Sequence, residues 1–405
     1  MSNQLSEVLI LDYVRTGRAK ASSRGSLSGV APTDLVVALQ RSLVDRNDLD
    51  PALVDDVIVG SATQVGEQGA DLARTATLLA GWGHGVPGGT VNRFCASGID
   101  AVSQVSARIR SGELGVAVAG GVESVSRVPM FSDNGPLWTD EAVIHDIGSV
   151  HMGISADLNA TIDGFSRDEL DAYGLETQQK ASRAWEDGAF DGCVVPVEVA
   201  DGRTFAADEL IRPGTSMERL ASLPAAFAEL GASGQDAIAL AAHPEVGAIE
   251  HLHTVGTSPA LADGAALLLL ADTEGAERTG LRPRGRVVAS AARATDPVIM
   301  LTAGQDAIAA ALERAGLTPD DIDVCEFAEA FSALCLRLRR DMGFGPERMN
   351  PNGGTIAMGH AFGATGAIMV GQCLEELERR QGRYGVAAVS GAAGLGIAVV
   401  VERLP

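Results

Sequence analysis

The chain has 405 residues, 46% of them hydrophobic, with 48 glycines; that length and composition suit an α/β protein of two or more packed units. Its 31 basic and 53 acidic residues give a net charge of −22, which disfavours a general nucleic-acid or anionic-membrane partner. No run approaches the roughly 20 apolar residues of a membrane-spanning helix, and MSNQLSEVLI lacks the pattern of a secretory leader. Cys95, Cys193, Cys325, Cys335 and Cys373 form no CxxC pair, which argues against zinc, a redox dithiol or a disulfide framework and points to a reducing cytoplasm.

In chain order, residues 34–60 read as a helix (DLVVALQRSLVDRND), a turn (LDPALVDD) and a short strand (VIVG). ASGIDAVSQVSARIRSG then reads as a helix leading to the apolar strand in ELGVAVAGG. Residues 123–250 break this pattern with the charged helical stretch SRDELDAYGLETQQKASRAWEDG, an extended VVPVEVA and an Ala/Gly-rich region at 225–250. They read as an ordered insertion able to cover a ligand.

Residues 306–327 repeat the first plan as DAIAAALERAG, LTPDD and IDVCEF; ATGAIMVGQCLEELERRQG and the strand in RYGVAAVSG repeat the second. Val370, Cys373, Leu374 and Leu377 recur at helical spacing, giving that helix one buried face. The runs VAVAG and VAAVSG have the unbroken apolar character of central strands. Two copies of one strand–helix plan predict two similar α/β halves packed together. The expected limits are 1–122 plus about 251–275 for the first half, 123–250 for the insertion, and 276–405 for the second half.

Two residues stand where such a plan concentrates chemistry. VNRFCASGIDAV places Cys95 immediately before a helix, where N–H groups and the macrodipole are expected to lower the thiol pKa below about 8.5. Most free cysteines are inert core residues; Asn92, Arg93, Ser97 and Gly98 around this one favour a functional role. NPNGGTIAMGHAFGATGA places His360 at the equivalent point of the second half. Related halves would aim both residues at one centre, the arrangement an activated thiolate requires. The glycines here predict close backbone approach to a ligand, against the plainer reading of a turn-capping histidine. No GxSxG elbow is present, and GGVES and GGTIAMG lack the GxGxxG spacing of a dinucleotide site.

VNRFCASGIDA, GGVESVSRVPM, HMGISAD, DELIRPGTSMERLASLPAAF, ADGAALLLL, EFAEAFSA, NPNGGTIAMGHAFGATGA and SGAAGLGIAVVVE resemble, in order, the signature segments of the thiolase family. The likeness covers essentially the whole chain. It implies the thiolase fold, with αβαβα layers and an inserted loop domain, and an acyl-CoA C-acyltransferase that forms an acyl-Cys95 intermediate. By the resemblance, His360 activates Cys95 and Ser390 lies opposite them. His151 and Met152 match positions lining the pantetheine channel, Arg212 and Phe227 match positions near the adenosine end, and Phe331 walls the acyl pocket. Coenzyme A is then a substrate or product, no resident cofactor or metal is expected, and a homodimer or tetramer is implied.

The sequence departs from the family where carbon–carbon chemistry is done. Ser390 stands where the resemblance implies a second catalytic cysteine, and a serine hydroxyl is poorly matched to proton transfer at neutral pH. Ala328 stands where an Asn or His would help build an oxyanion hole, and alanine has no side-chain donor. Ala392 and Ala393 replace glycines but keep their N–H groups. Pro259 occupies a CoA-contacting serine position, with Ser258 beside it as the candidate substitute. Three readings follow: a thiolase cleaving 3-oxoacyl-CoA or running in reverse; an acyltransferase or condensing enzyme of the same fold with a non-standard acceptor; and a catalytically weak acyl-CoA-binding homologue.

Overall fold

Residues 5–199 and 202–405 are described by the computed structural model. Their central feature is a sheet whose two ends mirror each other about its middle. On one side, the strands Asp56–Gly60 and Val116–Ser124 run parallel, followed by antiparallel Ala262–Ala271 and then Leu9–Thr16. On the other, Val324–Phe327 and Tyr384–Gly391 run parallel, followed by antiparallel Leu395–Arg403 and then Gly285–Ala294. The halves join where Leu9 pairs with Arg286 and Ile10 with Gly285, antiparallel.

Helices fill three layers around these strands. Pro32–Asn47 and Leu72–Leu79 pack their buried leucines, valines and alanines on the outer face of the first half. Ala303–Ala315 and Ser332–Met342 do the same for the second half. Between the halves lie Ser97–Arg110 and Phe362–Arg380, within the largest core cluster. These two helices approach through glycine: a Cβ on Gly98 would fall 2.3 Å from the Gly363 carbonyl, and one on Gly366 would fall 2.6 Å from the Ile99 nitrogen. The order is therefore helix, sheet, helix, sheet, helix.

The sheet strand continues to Ser124, so Glu123, assigned by sequence to the insertion, belongs to the first half. Within the insertion, Arg167–Glu186 is a helix opened by a Ser166–Glu169 capping box. The Ala/Gly-rich stretch forms the short helices Ala228–Leu230 and Asp236–Ala242. Asp208 anchors the insertion to the first strand's end, accepting from Arg15 at 2.9 Å, Arg18 at 2.9 Å and Trp185 at 3.2 Å. The two guanidinium groups hold the buried Asp208 carboxyl well below the usual carboxylate range. Among the described residues no helix is long and apolar enough to cross a membrane.

Candidate active site

Cys95 and His360 occupy matching places in the two halves. Each lies two residues ahead of a central helix, Ser97–Arg110 or Phe362–Arg380. The residue before each has positive φ: Phe94 at 50° and Gly359 at 100°. A positive φ is costly for a non-glycine residue and persists only where its surroundings enforce it. At Phe94 they do: Asn92 Oδ1 accepts from the Phe94 N–H at 2.8 Å, and Ser97 Oγ donates to the Phe94 carbonyl at 2.6 Å while accepting from Arg93 N–H at 2.8 Å. Asn92 and Ser97 thereby build the turn that presents the thiol.

His360 is strapped to the neighbouring chain by its own backbone, donating to the Ala260 carbonyl at 2.7 Å and accepting from Ala262 at 3.1 Å. Its Nδ1 meets Thr365 Oγ1 at 2.8 Å, which fixes the ring plane and leaves Nε2 for chemistry. Cys95, His360 and Ser390 all line one cavity of about 230 Å³. His151, Met152, Phe227, Ser258, Pro259 and Phe331 line it too. Phe331 packs edge-on against Phe227, with ring centres 5.8 Å apart. The Ser258 Oγ is buried with no hydrogen-bond partner, a free polar group for a ligand.

Several sequence expectations need correction. The helix start does not lower the Cys95 pKa; burial, followed by the Glu123 charge, pushes it up to about 12. Burial and the Arg18 charge push His360 down to about 4. With these shifts the thiol and the imidazole are both neutral near pH 7. Phe227 lies on the wall of the Cys95 cavity, whereas Arg212 lines a separate cavity of about 330 Å³ with Arg219 and Leu223. Glycines around His360 admit close approach of neighbouring protein: Gly353 abuts Thr177, Gly363 abuts Gly60, and Gly366 abuts Ile99.

The substituted positions are as informative. Ser390 donates to the Leu301 carbonyl at 2.7 Å and accepts from the Gly304 N–H at 3.0 Å, tying down the start of the Ala303–Ala315 helix. Its one proton is already in use. Ala328 is buried, and its N–H donates to Ala388 at 3.0 Å; it is not among the residues lining the Cys95 cavity. Ala392 lines a narrow space beside Cys95.

Sequence reasoning missed Glu123 and Thr365. Glu123 is fully buried and accepts from the N–H groups of Ala62 at 2.8 Å, Thr63 at 3.2 Å and Gly363 at 2.9 Å, and from Gln68 at 2.5 Å. It links the loop after one strand to the central helix that follows His360, and burial raises its pKa. An acidic residue closing the apolar run VAVAGG was the available signal.

Comparison with known proteins decides the family. The thiolase N-terminal domain matches residues 8–237 and the thiolase C-terminal domain matches residues 281–403. The chain belongs to the thiolase family. It is 36% identical to a steroid 3-ketoacyl-CoA thiolase of Mycobacterium tuberculosis, over 99% of this chain and 95% of that protein. It is 35% identical to a beta-ketoadipyl-CoA thiolase of Escherichia coli, over 98% of this chain and 100% of that protein. The crystal structure of the Bacillus anthracis acetyl-CoA acetyltransferase superposes with a TM-score of 0.86 at 30% identity, covering 100% of both chains. This thiolase is an acyl-CoA C-acyltransferase with the thiolase fold.

Proposed function

We propose that this thiolase carries the acyl group on Cys95 and moves the reaction's proton through His360 alone. The carrying observation is that both side chains line one cavity from equivalent helix starts. In the cleavage direction, Cys95 sulfur attacks the 3-oxo carbon of a 3-oxoacyl-CoA while His360 Nε2 takes the thiol proton. The carbon–carbon bond breaks, the acyl group remains on sulfur, and the departing enolate of acetyl-CoA needs one proton at carbon. His360 returns the proton it took, so the balance closes without Ser390. Coenzyme A then attacks the thioester, leaves as acyl-CoA, and Cys95 recovers its proton. Backbone N–H groups of Cys95 and of the segment after Ser390 are the oxyanion donors.

The high thiol pKa and low imidazole pKa give this scheme a resting state without charge. The ion pair forms only with a bound thioester, whose developing oxyanion takes up the negative charge. Arg212 and Arg219, lining one cavity, supply local positive charge for the coenzyme phosphates against the overall −22. We further propose that the enzyme works without a resident cofactor or metal, in the cytoplasm, as a homo-oligomer of dimer or tetramer type.

The occupied Ser390 hydroxyl and the missing side-chain donor at Ala328 favour a second reading, transfer of the Cys95-bound acyl group to an amine, a thiol or an independently activated carbon. One experiment separates the two. Incubation with acetyl-CoA adds an acetyl mass to Cys95, seen by intact-protein mass spectrometry and lost in Cys95→Ala. Thiolysis of a 3-oxoacyl-CoA by the same sample supports the cleavage reading, acylation without thiolysis supports the second, and no adduct overturns both.

A further inference from the structure

A second chamber opens beyond the thiol, on the side of the cavity formed by the insertion. Cys95, Phe94, Trp138 and Phe131 line a narrow throat of about 30 Å³. Phe131, Trp138, Met152 and Ala392 line both this throat and a chamber of about 420 Å³. The rings meet across the throat: Phe94 and Trp138 edge-on at 5.7 Å, and Phe131 and Trp138 tilted at 4.6 Å. The chamber's other walls come from the short helices Pro136–Thr139 and Glu141–Ile147, through Leu137 and Ile144, and from the later part of the insertion, through Leu230 and Gln235. Gln235 Oε1 accepts from the His151 N–H at 2.8 Å, so the later part of the insertion is fastened to the start of the helix that carries Met152.

Charge identifies the occupant. No Lys, Arg, Asp or Glu is among the residues lining the chamber, and the single charged residue of the throat is Asp133. His151, on the chamber wall, has its pKa lowered by burial. The cations suited to an anionic ligand, Arg212 and Arg219, line a different cavity. A carboxylate entering the chamber would lose hydration and meet only neutral donors such as Asn134, Ser149 and Gln235, with no cation to balance its charge, and would pass Asp133 on the way. An apolar ring or branched chain would instead shed water against Phe131, Leu137, Trp138 and Leu230.

We propose that this chamber receives the far end of a bulky, uncharged, apolar acyl group whose thioester carbon reaches Cys95, with Trp138 setting how large a group passes. This deepens the acyl-Cys95 reading and rests on it. Each fully buried methylene favours binding by a factor of about four, so even partial burial of a six-membered ring separates it clearly from an acetyl group.

The test uses the wild-type protein and three thioesters at equal sub-saturating concentration: acetyl-CoA, 3-cyclohexylpropanoyl-CoA and adipyl-CoA, whose chain ends in a carboxylate. In each, the acyl–sulfur bond to coenzyme A breaks, the bond to Cys95 sulfur forms, and the thiol proton leaves with coenzyme A through His360. The initial rate of acyl mass added to Cys95 is expected to be at least about tenfold higher for cyclohexylpropanoyl than for acetyl, and about a hundredfold higher than for adipyl. Rates for acetyl or adipyl equal to or above that for cyclohexylpropanoyl overturn the proposal while leaving the acyl-enzyme reading intact. No label from any of the three overturns the acyl-enzyme reading, and the proposal with it. In Leu230→Arg, the adipyl to cyclohexylpropanoyl ratio is expected to rise about tenfold; an unchanged ratio in a folded variant counts against the chamber. Because that ratio is internal to each sample, it does not depend on the folded fraction.

Discussion

The Ser390 hydroxyl lies 2.7 Å from the Leu301 carbonyl and 3.0 Å from the Gly304 nitrogen, so the side chain serves to hold a helix start. Removing it in Ser390→Ala leaves a buried carbonyl and a buried N–H unpaired, and should cost about 1–3 kcal/mol of stability. Acylation of Cys95 should persist. A stable Ser390→Ala that cannot be acylated would contradict the structural role. Ser390→Cys supplies a group with an ordinary pKa near about 8.5, and carbon–carbon cleavage should rise by about 10²-fold or more. An unchanged rate in a folded variant would show that residue 390 does not stand at the proton-transfer point.

Thr365 acts on the reaction only through its 2.8 Å contact with His360 Nδ1. Thr365→Val keeps the shape and removes the partner. We expect roughly tenfold slower Cys95 acylation, as for a general base losing its orientation, with recovery in Thr365→Ser. A fall in melting temperature with unchanged acylation per folded molecule would reduce Thr365 to a packing residue.

The pH response follows from the two opposed shifts. Cys95 is pushed up to about 12 and His360 down to about 4, so iodoacetamide labelling of Cys95 in the empty enzyme should still be climbing above pH 9. A plateau near pH 7 would reveal a resting ion pair instead. Glu123→Gln removes a negative charge that raises the thiol pKa, and should speed labelling at pH 8 several-fold. For stability the sign is fixed: a histidine with a depressed folded pKa contributes fully above its ordinary value of 6.5. That contribution is lost as pH falls toward 4.

Glu326 gives the opposite slope. Burial, then Glu376 and Glu329, raises its pKa from 4.5 to about 8. The folded state therefore keeps a proton that the unfolded chain releases, and the contribution present below 4.5 is lost as pH rises through 8. Glu326→Gln mimics the protonated form. It should match the wild type near pH 5 and exceed it at pH 9 by on the order of 1–3 kcal/mol in urea unfolding. Equal midpoints at pH 9 would show that the carboxyl ionises freely inside the fold.

The sequence alone showed the repeat and the family likeness, and it singled out Cys95 and His360, which line one cavity. Those are carried by local pattern: the helix–turn–strand plan recurs in DAIAAALERAG–LTPDD–IDVCEF, and each repeat ends in a strand followed, further on, by a residue placed ahead of a central helix. It also located the exceptions at Ser390 and Ala328. What tertiary structure decided are quantities set by neighbours distant in the chain. Leu301, 89 positions away from Ser390, determines what its hydroxyl does. Burial and the Glu123 charge send the Cys95 pKa up, although the helix start that follows it argued for down. The aromatic throat joins Phe94 of the first half to Phe131 and Trp138 of the insertion. Periodicity reports which face of an element is buried; burial's consequences for a proton depend on which charges and carbonyls arrive from elsewhere, and only the packed chain specifies those.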